Sequence, residues 1–103
     1  MIQLTKIEKF AIITTLSQIM NADGVIHPKE VEYMDKVYAE FDISIDDLED
    51  MADMDIVQAD SVICDMSEKK KNYAKLLFFF MAEADGFVHP LEAALIEQIF
   101  KMN

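Results

Sequence analysis

Arginine and tryptophan are absent from this 103-residue chain, and cysteine occurs once. Without arginine there is no planar fork to grip a phosphate or carboxylate through two N–H groups at once. The nine basic residues are all lysine and stand against twenty acids, for a formal net charge of −11. Binding to nucleic acid depends on neutralising phosphates, so this balance predicts no nucleic-acid partner. An acidic chain favours cations or basic protein surfaces instead. The lone Cys64 allows no intrachain disulfide and suits a reducing compartment. The N-terminal stretch lacks the pattern of a signal peptide. Lys6, Glu8 and Lys9 come early, and Thr14, Thr15, Ser17 and Gln18 interrupt the apolar run. The apolar run from Leu76 to Ala82 is too short to span a bilayer. The expectation is a cytoplasmic protein with no membrane span.

Glycine and proline are also scarce, with two of each. That argues against an all-β fold with many turns, a long linker or a disordered tail. They fall in two equivalent places, Gly24 with Pro28 and Gly86 with Pro90. Between these breakers the apolar residues keep helical spacing. Ile7, Phe10, Ile13, Leu16 and Ile19 mark a helix over about 4–20, with Thr5 and Glu8 as a capping box. Pro28 opens a second helix to about 41, proline being suited to the first helical position. Ser44 caps a short acidic helix over about 45–53, and Asp55 caps another over about 56–66. Ser67 caps a fifth over about 68–84, whose apolar second half predicts a central, buried helix. Pro90 starts the last helix, over about 90–102.

An internal repeat organises the chain. A shift of 62 residues superposes Ala22-Asp23-Gly24 on Ala84-Asp85-Gly86, His27-Pro28 on His89-Pro90 and Glu30 on Glu92. The predicted fold is all-α: one domain over 1–103, a bundle of about six helices with two pseudo-symmetric helix–loop–helix repeats. The first repeat spans about 4–41 and the second about 68–102, with short acidic helices over about 45–66 between them.

Two readings of the repeated loop compete. In the first it is a rigid helical corner. Gly24 and Gly86 take positive φ to redirect the chain. Ile26 and Val88 anchor the loop. Asp23 and Asp85 accept bonds from loop amides. Glu30 and Glu92 reach back to the free N–H groups at the start of the next helix. In the second the loop is a cation site, because both copies match the second half of an EF-hand loop, D-G-x-I-x-x-x-E. Its ligands would then include Asp23, Glu30, Asp85 and Glu92. An EF-hand also needs an acid at its first position, and here Ile19 and Met81 stand there. That favours the corner. His27 and His89 hint at zinc, but four ligands of zinc type are not evident, and each stands where an N-cap belongs. Cys64, flanked by Ile63 and Asp65, reads as a core residue rather than a nucleophile.

No glycine-rich phosphate loop, nucleophile elbow or zinc-protease signature occurs, so the chain reads as non-enzymatic, with no cofactor expected beyond a divalent cation. From Asp42 to Asp65 there are nine acids and no lysine. That stretch is a solvated face or a docking face for a protein partner, through Asp42, Asp46, Asp47, Glu49, Asp50 and Asp53. Met51, Met54 and Met66 fill the core or line an adaptable groove.

The paired loops resemble those of the TerB-like family, which includes tellurite-resistance proteins and a domain of a membrane-bound J-protein. The carriers are Ala22-Asp23-Gly24, Ile26 and Glu30, then Ala84-Asp85-Gly86, Val88 and Glu92. The short helices between the hairpins are also similar, so the resemblance spans nearly the whole chain. It implies an all-helical, internally duplicated bundle linked to stress response. It also implies metal binding by acidic residues, which nominates Asp23, Glu30, Asp85 and Glu92.

Overall fold

The computed structural model describes residues 3–21, 24, 27–84, 94, 96 and 97. Among them are five helices: α1 (Lys6–Met20), α2 (Pro28–Glu40), α3 (Ile45–Met51), α4 (Ile56–Asp65) and α5 (Glu68–Ala82). No helix is long and apolar enough to cross a membrane among the described residues. The expected sixth helix falls largely outside them, although Ala94, Ile96 and Glu97 are helical. The chain is an all-α, single-domain bundle with a radius of gyration of 12.7 Å.

Each helix start follows from its cap. Thr5 Oγ1 accepts from the Glu8 N–H and Glu8 Oε1 accepts from the Thr5 N–H, closing a capping box. Ser44 with Asp47 and Asp55 with Gln58 close two more. Ser67 accepts from the Lys70 N–H. Each such cap is worth about 1 kcal/mol because it satisfies amides that lack an intrahelical partner. His27 is the exception. It occupies the N-cap of α2, but its imidazole accepts no capping bond. The expected imidazole cap is therefore not made, and Pro28 sets the helix start instead.

The core centres on α1. No residue from Glu8 to Met20 is exposed, and Ala11, Ile12, Thr15, Leu16 and Ile19 are wholly inaccessible. Helices α2, α4 and α5 all pack on it. Thr15 is tolerated there because its hydroxyl donates to the Ala11 carbonyl at 2.9 Å. This corrects the expectation that α5 is the central helix. Only one side of α5 is buried, through Ala74, Leu77, Phe78, Met81 and Ala82. Its Leu76 and Phe80 are 55% and 52% exposed. Ile7 and Val31, expected in buried stripes, are exposed too. Met66 is a core residue, and Cys64 is half-buried on α4.

Helices α1 and α5 share a register. Each has 15 residues, and each starts one residue after its hydroxyl cap, Thr5 or Ser67. Their two N-termini meet. Lys70 Nζ donates to Glu8 Oε1 at 2.8 Å and to Oε2 at 3.1 Å. Two helix N-termini side by side repel, and the Glu8 carboxylate sits where it offsets both positive ends and the lysine. Its pKa is set by opposing effects: burial raises it, but the Lys70 and Thr5 hydrogen bonds outweigh that and hold it below the ordinary value.

The end of α2 carries the one backbone feature outside glycine in the left-handed region among the described residues. Asp42 has φ +55°. The Ile43 N–H bonds to the Tyr38 carbonyl and the Asp42 N–H to the Ala39 carbonyl, which is a Schellman closure. Glycine is the residue this position favours, and a carboxylate at the negative end of a helix is disfavoured. Asp42→Gly is therefore expected to raise stability by about 0.5–1 kcal/mol, read as a higher urea midpoint with an unchanged slope.

Candidate functional site

Helix α3 stands apart from the rest. It has only seven residues and packs lightly on the other helices. It is attached at both ends, by Met51 buried in the core at its last turn and by a polar contact at its first. Lys6 Nζ meets Asp47 Oδ1 at 2.7 Å. Nearby, Lys9 Nζ donates to the Phe41 carbonyl at the end of α2 at 3.2 Å, a cation placed at a negative helix end. Beyond these ties, the second half of α3 and the turn after it face the middle of α1 across a gap.

That gap is a groove of about 290 Å³. Helix α1 supplies Ile13, Thr14 and Ser17, and α2 supplies Tyr38. Leu48 and Met51 of α3 form the opposite wall with Ala52 and Met54. The volume is at the low end of small-molecule sites, which run to about 300–1,000 Å³. The exposed lining is only slightly more apolar than polar, and its residues include two hydroxyls and a phenol. Burial raises the Tyr38 phenol above its ordinary value, and the nearby Asp35 charge adds to this.

The surface around the groove is acidic. Asp42, Asp46, Glu49, Asp50 and Asp53 are all exposed. Asp47, expected among them, turns inward instead: it is buried as the third residue of α3, capping Ser44 and pairing with Lys6. Among the described residues it is the one acid of the six with a lysine in salt-bridge range. Asp46 and Asp50 lie close enough to Lys6 to reinforce its charge.

The metal-ligand candidates are only partly visible. Asp23, Asp85 and Glu92 lie outside the described residues. Glu30 is the third residue of α2 and 1% exposed. Gly24 has the expected positive φ, +77°. Ile19 and Met81, at the first ligand position of an EF-hand register, are inaccessible core residues inside α1 and α5. That part of the register is therefore helix and core in both copies. No group of three or more His, Cys, Asp or Glu residues positioned for a metal occurs among the described residues. Asp60 on α4 has its carboxyl raised by burial, and its Oδ1 has no hydrogen-bond partner among the described residues.

Of the sequence candidates, Met51 and Met54 do line the groove and Met66 does not. Sequence reasoning missed Thr14, Ser17 and Tyr38. The available signal was Leu48, a large apolar residue set among acids. Comparison with protein-family models, with curated proteins and with solved structures returned no significant match.

The Lys6–Asp47 pair makes stability pH-dependent. The Lys6 hydrogen bond is the largest influence holding the Asp47 carboxyl below its ordinary value of 3.8. A depressed folded pKa stabilises above the unfolded value, and that stability is lost as pH falls through the folded one. Lys6→Met is therefore expected to melt lower than the wild type at neutral pH. The gap should close as pH drops below 3.8. Melts recorded between about pH 2 and 7 check this.

Proposed function

We propose that this chain is a non-enzymatic, TerB-like helical module that acts by binding a protein partner through the acidic face around α3. The observation that carries this reading is the exposure of Asp42, Asp46, Glu49, Asp50 and Asp53 on and beside the most lightly packed helix. A solvated face needs charge but gains nothing from the exposed apolar residues Ile45 and Leu48 set among its acids. A docking face uses both, with charge steering the encounter and apolar contact holding it.

The duplicated architecture is part of the proposal. The shared length of α1 and α5, and their hydroxyl caps at Thr5 and Ser67, keep the 62-residue shift that relates the two loops. So does the Glu8–Lys70 ion pair, which joins positions 62 apart. The buried positions Ile12, Leu16 and Ile19 likewise correspond to Ala74, Phe78 and Met81. These agreements support a pair of helices related by a pseudo-two-fold axis near Glu8 and Lys70.

Within it, the repeated loop serves as a helical corner. Glu30 is buried in the first turn of α2, where a carboxylate suits the positive helix end. Glu30→Gln is expected to lower stability by about 1–2 kcal/mol, equally in EDTA and in millimolar calcium. Destabilisation seen only with the metal present would overturn the corner.

The partner reading is checked by chemical cross-linking of the full chain in extracts of its source cells. Specific cross-linked partners should be lost from the triple variant Asp46→Lys, Glu49→Lys, Asp50→Lys, which should keep a cooperative melt at a somewhat lower temperature because Asp46 and Asp50 reinforce Lys6. An identical set of partners for both proteins would rule out the acidic face.

A further inference from the structure

We propose that the groove between α1, α2 and α3 receives a lysine- or arginine-rich amphipathic helix of a partner protein; this rests on the protein-binding reading above and assigns its site and its ligand chemistry. Three observations select that occupant. The first is the lining. Leu48 and Met54 present apolar surface at the gap, with the buried Ile13 and Met51 beneath them, and methionine adapts to the shape of an inserted side chain. Leu48 remains 43% exposed, and Ile45, one turn before it, is 78% exposed. The apolar strip thus continues out of the groove along α3, at the spacing a helix reads in another helix.

The second is charge. The strip is embedded in Asp42, Asp46, Glu49, Asp50 and Asp53, while Lys6, the nearby cation, is held by Asp47. A docking segment therefore has to bring its own cations. The same charge disfavours a second copy, since each copy carries −11 and would set acid against acid. It disfavours an anionic lipid surface for the same reason. The third is size and compliance. At about 290 Å³ the groove is small for an enclosed organic ligand but suits a few anchor side chains. Its α3 wall is tied down by Asp47 and the buried Met51 but packs lightly on the other helices, and the exposed Leu48 side chain can adjust to fit them.

The test uses the full chain with methyl-labelled methionines and two synthetic helical peptides at about 0.15 M salt. The peptides share one leucine face; one carries lysine on its polar face, the other glutamate. The lysine peptide should bind and shift the methyl signals of Met51 and Met54, leaving those of Met34 and Met66 in place. The glutamate peptide should not bind. Leu48→Ser, at a part-exposed site the fold does not rely on, should weaken binding about tenfold, as expected for losing one apolar anchor.

Absence of lysine-peptide binding, or binding that leaves Met51 and Met54 unmoved and is indifferent to Leu48→Ser, overturns the groove. So does self-association of the chain that Leu48→Ser abolishes, which would make a second copy the occupant. The two proposals fail separately. Cross-linked partners that the charge-reversed triple variant loses but Leu48→Ser keeps would leave the acidic face standing and remove the groove.

Discussion

The structure depends on burying one helix on all sides. From Glu8 to Met20 α1 has no exposed residue, so every direction around it has to be covered by another element. In a chain of 103 residues few helices are available for that. Helices α4, α5 and α2 pack on it directly. Large apolar side chains on these helices, Ile63, Phe78 and Met34 among them, are consequently buried, while much of their outer surface stays polar. The polar groups of α1 follow from the same constraint. Thr15 is accommodated by turning its hydroxyl to its own helix, and Thr14 and Ser17 fall where the cover is thinnest.

The thin place is α3. A seven-residue helix with four acids has only three apolar positions, and two of them, Ile45 and Leu48, remain exposed. What holds it is Met51 in the core at its last turn and, at its first, Lys6 to Asp47 with the Ser44 capping box behind. One ion pair and one buried methionine fix a helix at its ends without closing the gap between them. The groove is thus a consequence of how the last side of α1 is covered, and its acidic rim comes from the same residues that limit the packing of α3.

The Glu8–Lys70 contact solves a different problem. Two helices that start side by side bring their positive ends together. One carboxylate, accepting from the Thr5 amide and from Lys70, stabilises both starts at once. That arrangement lets α1 and α5 run from a common end with the same length and equivalent caps.

The amino-acid sequence by itself determined the local structure. Thr5, Ser44, Asp55 and Ser67 mark their helix starts because capping is settled within three residues, and Gly24 marks its turn because a positive φ is a property of one residue. Tertiary structure decided which helix is central. The run Leu76–Ala82 is the more apolar, yet α1 is the buried one, because coverage depends on what packs against a helix rather than on its own composition. It also decided that Asp47 leaves the acidic face and that Leu48, Met51 and Met54 meet Ile13 and Tyr38 across a groove. These are contacts between residues up to about forty positions apart, brought together by packing and loop closure rather than by any local pattern.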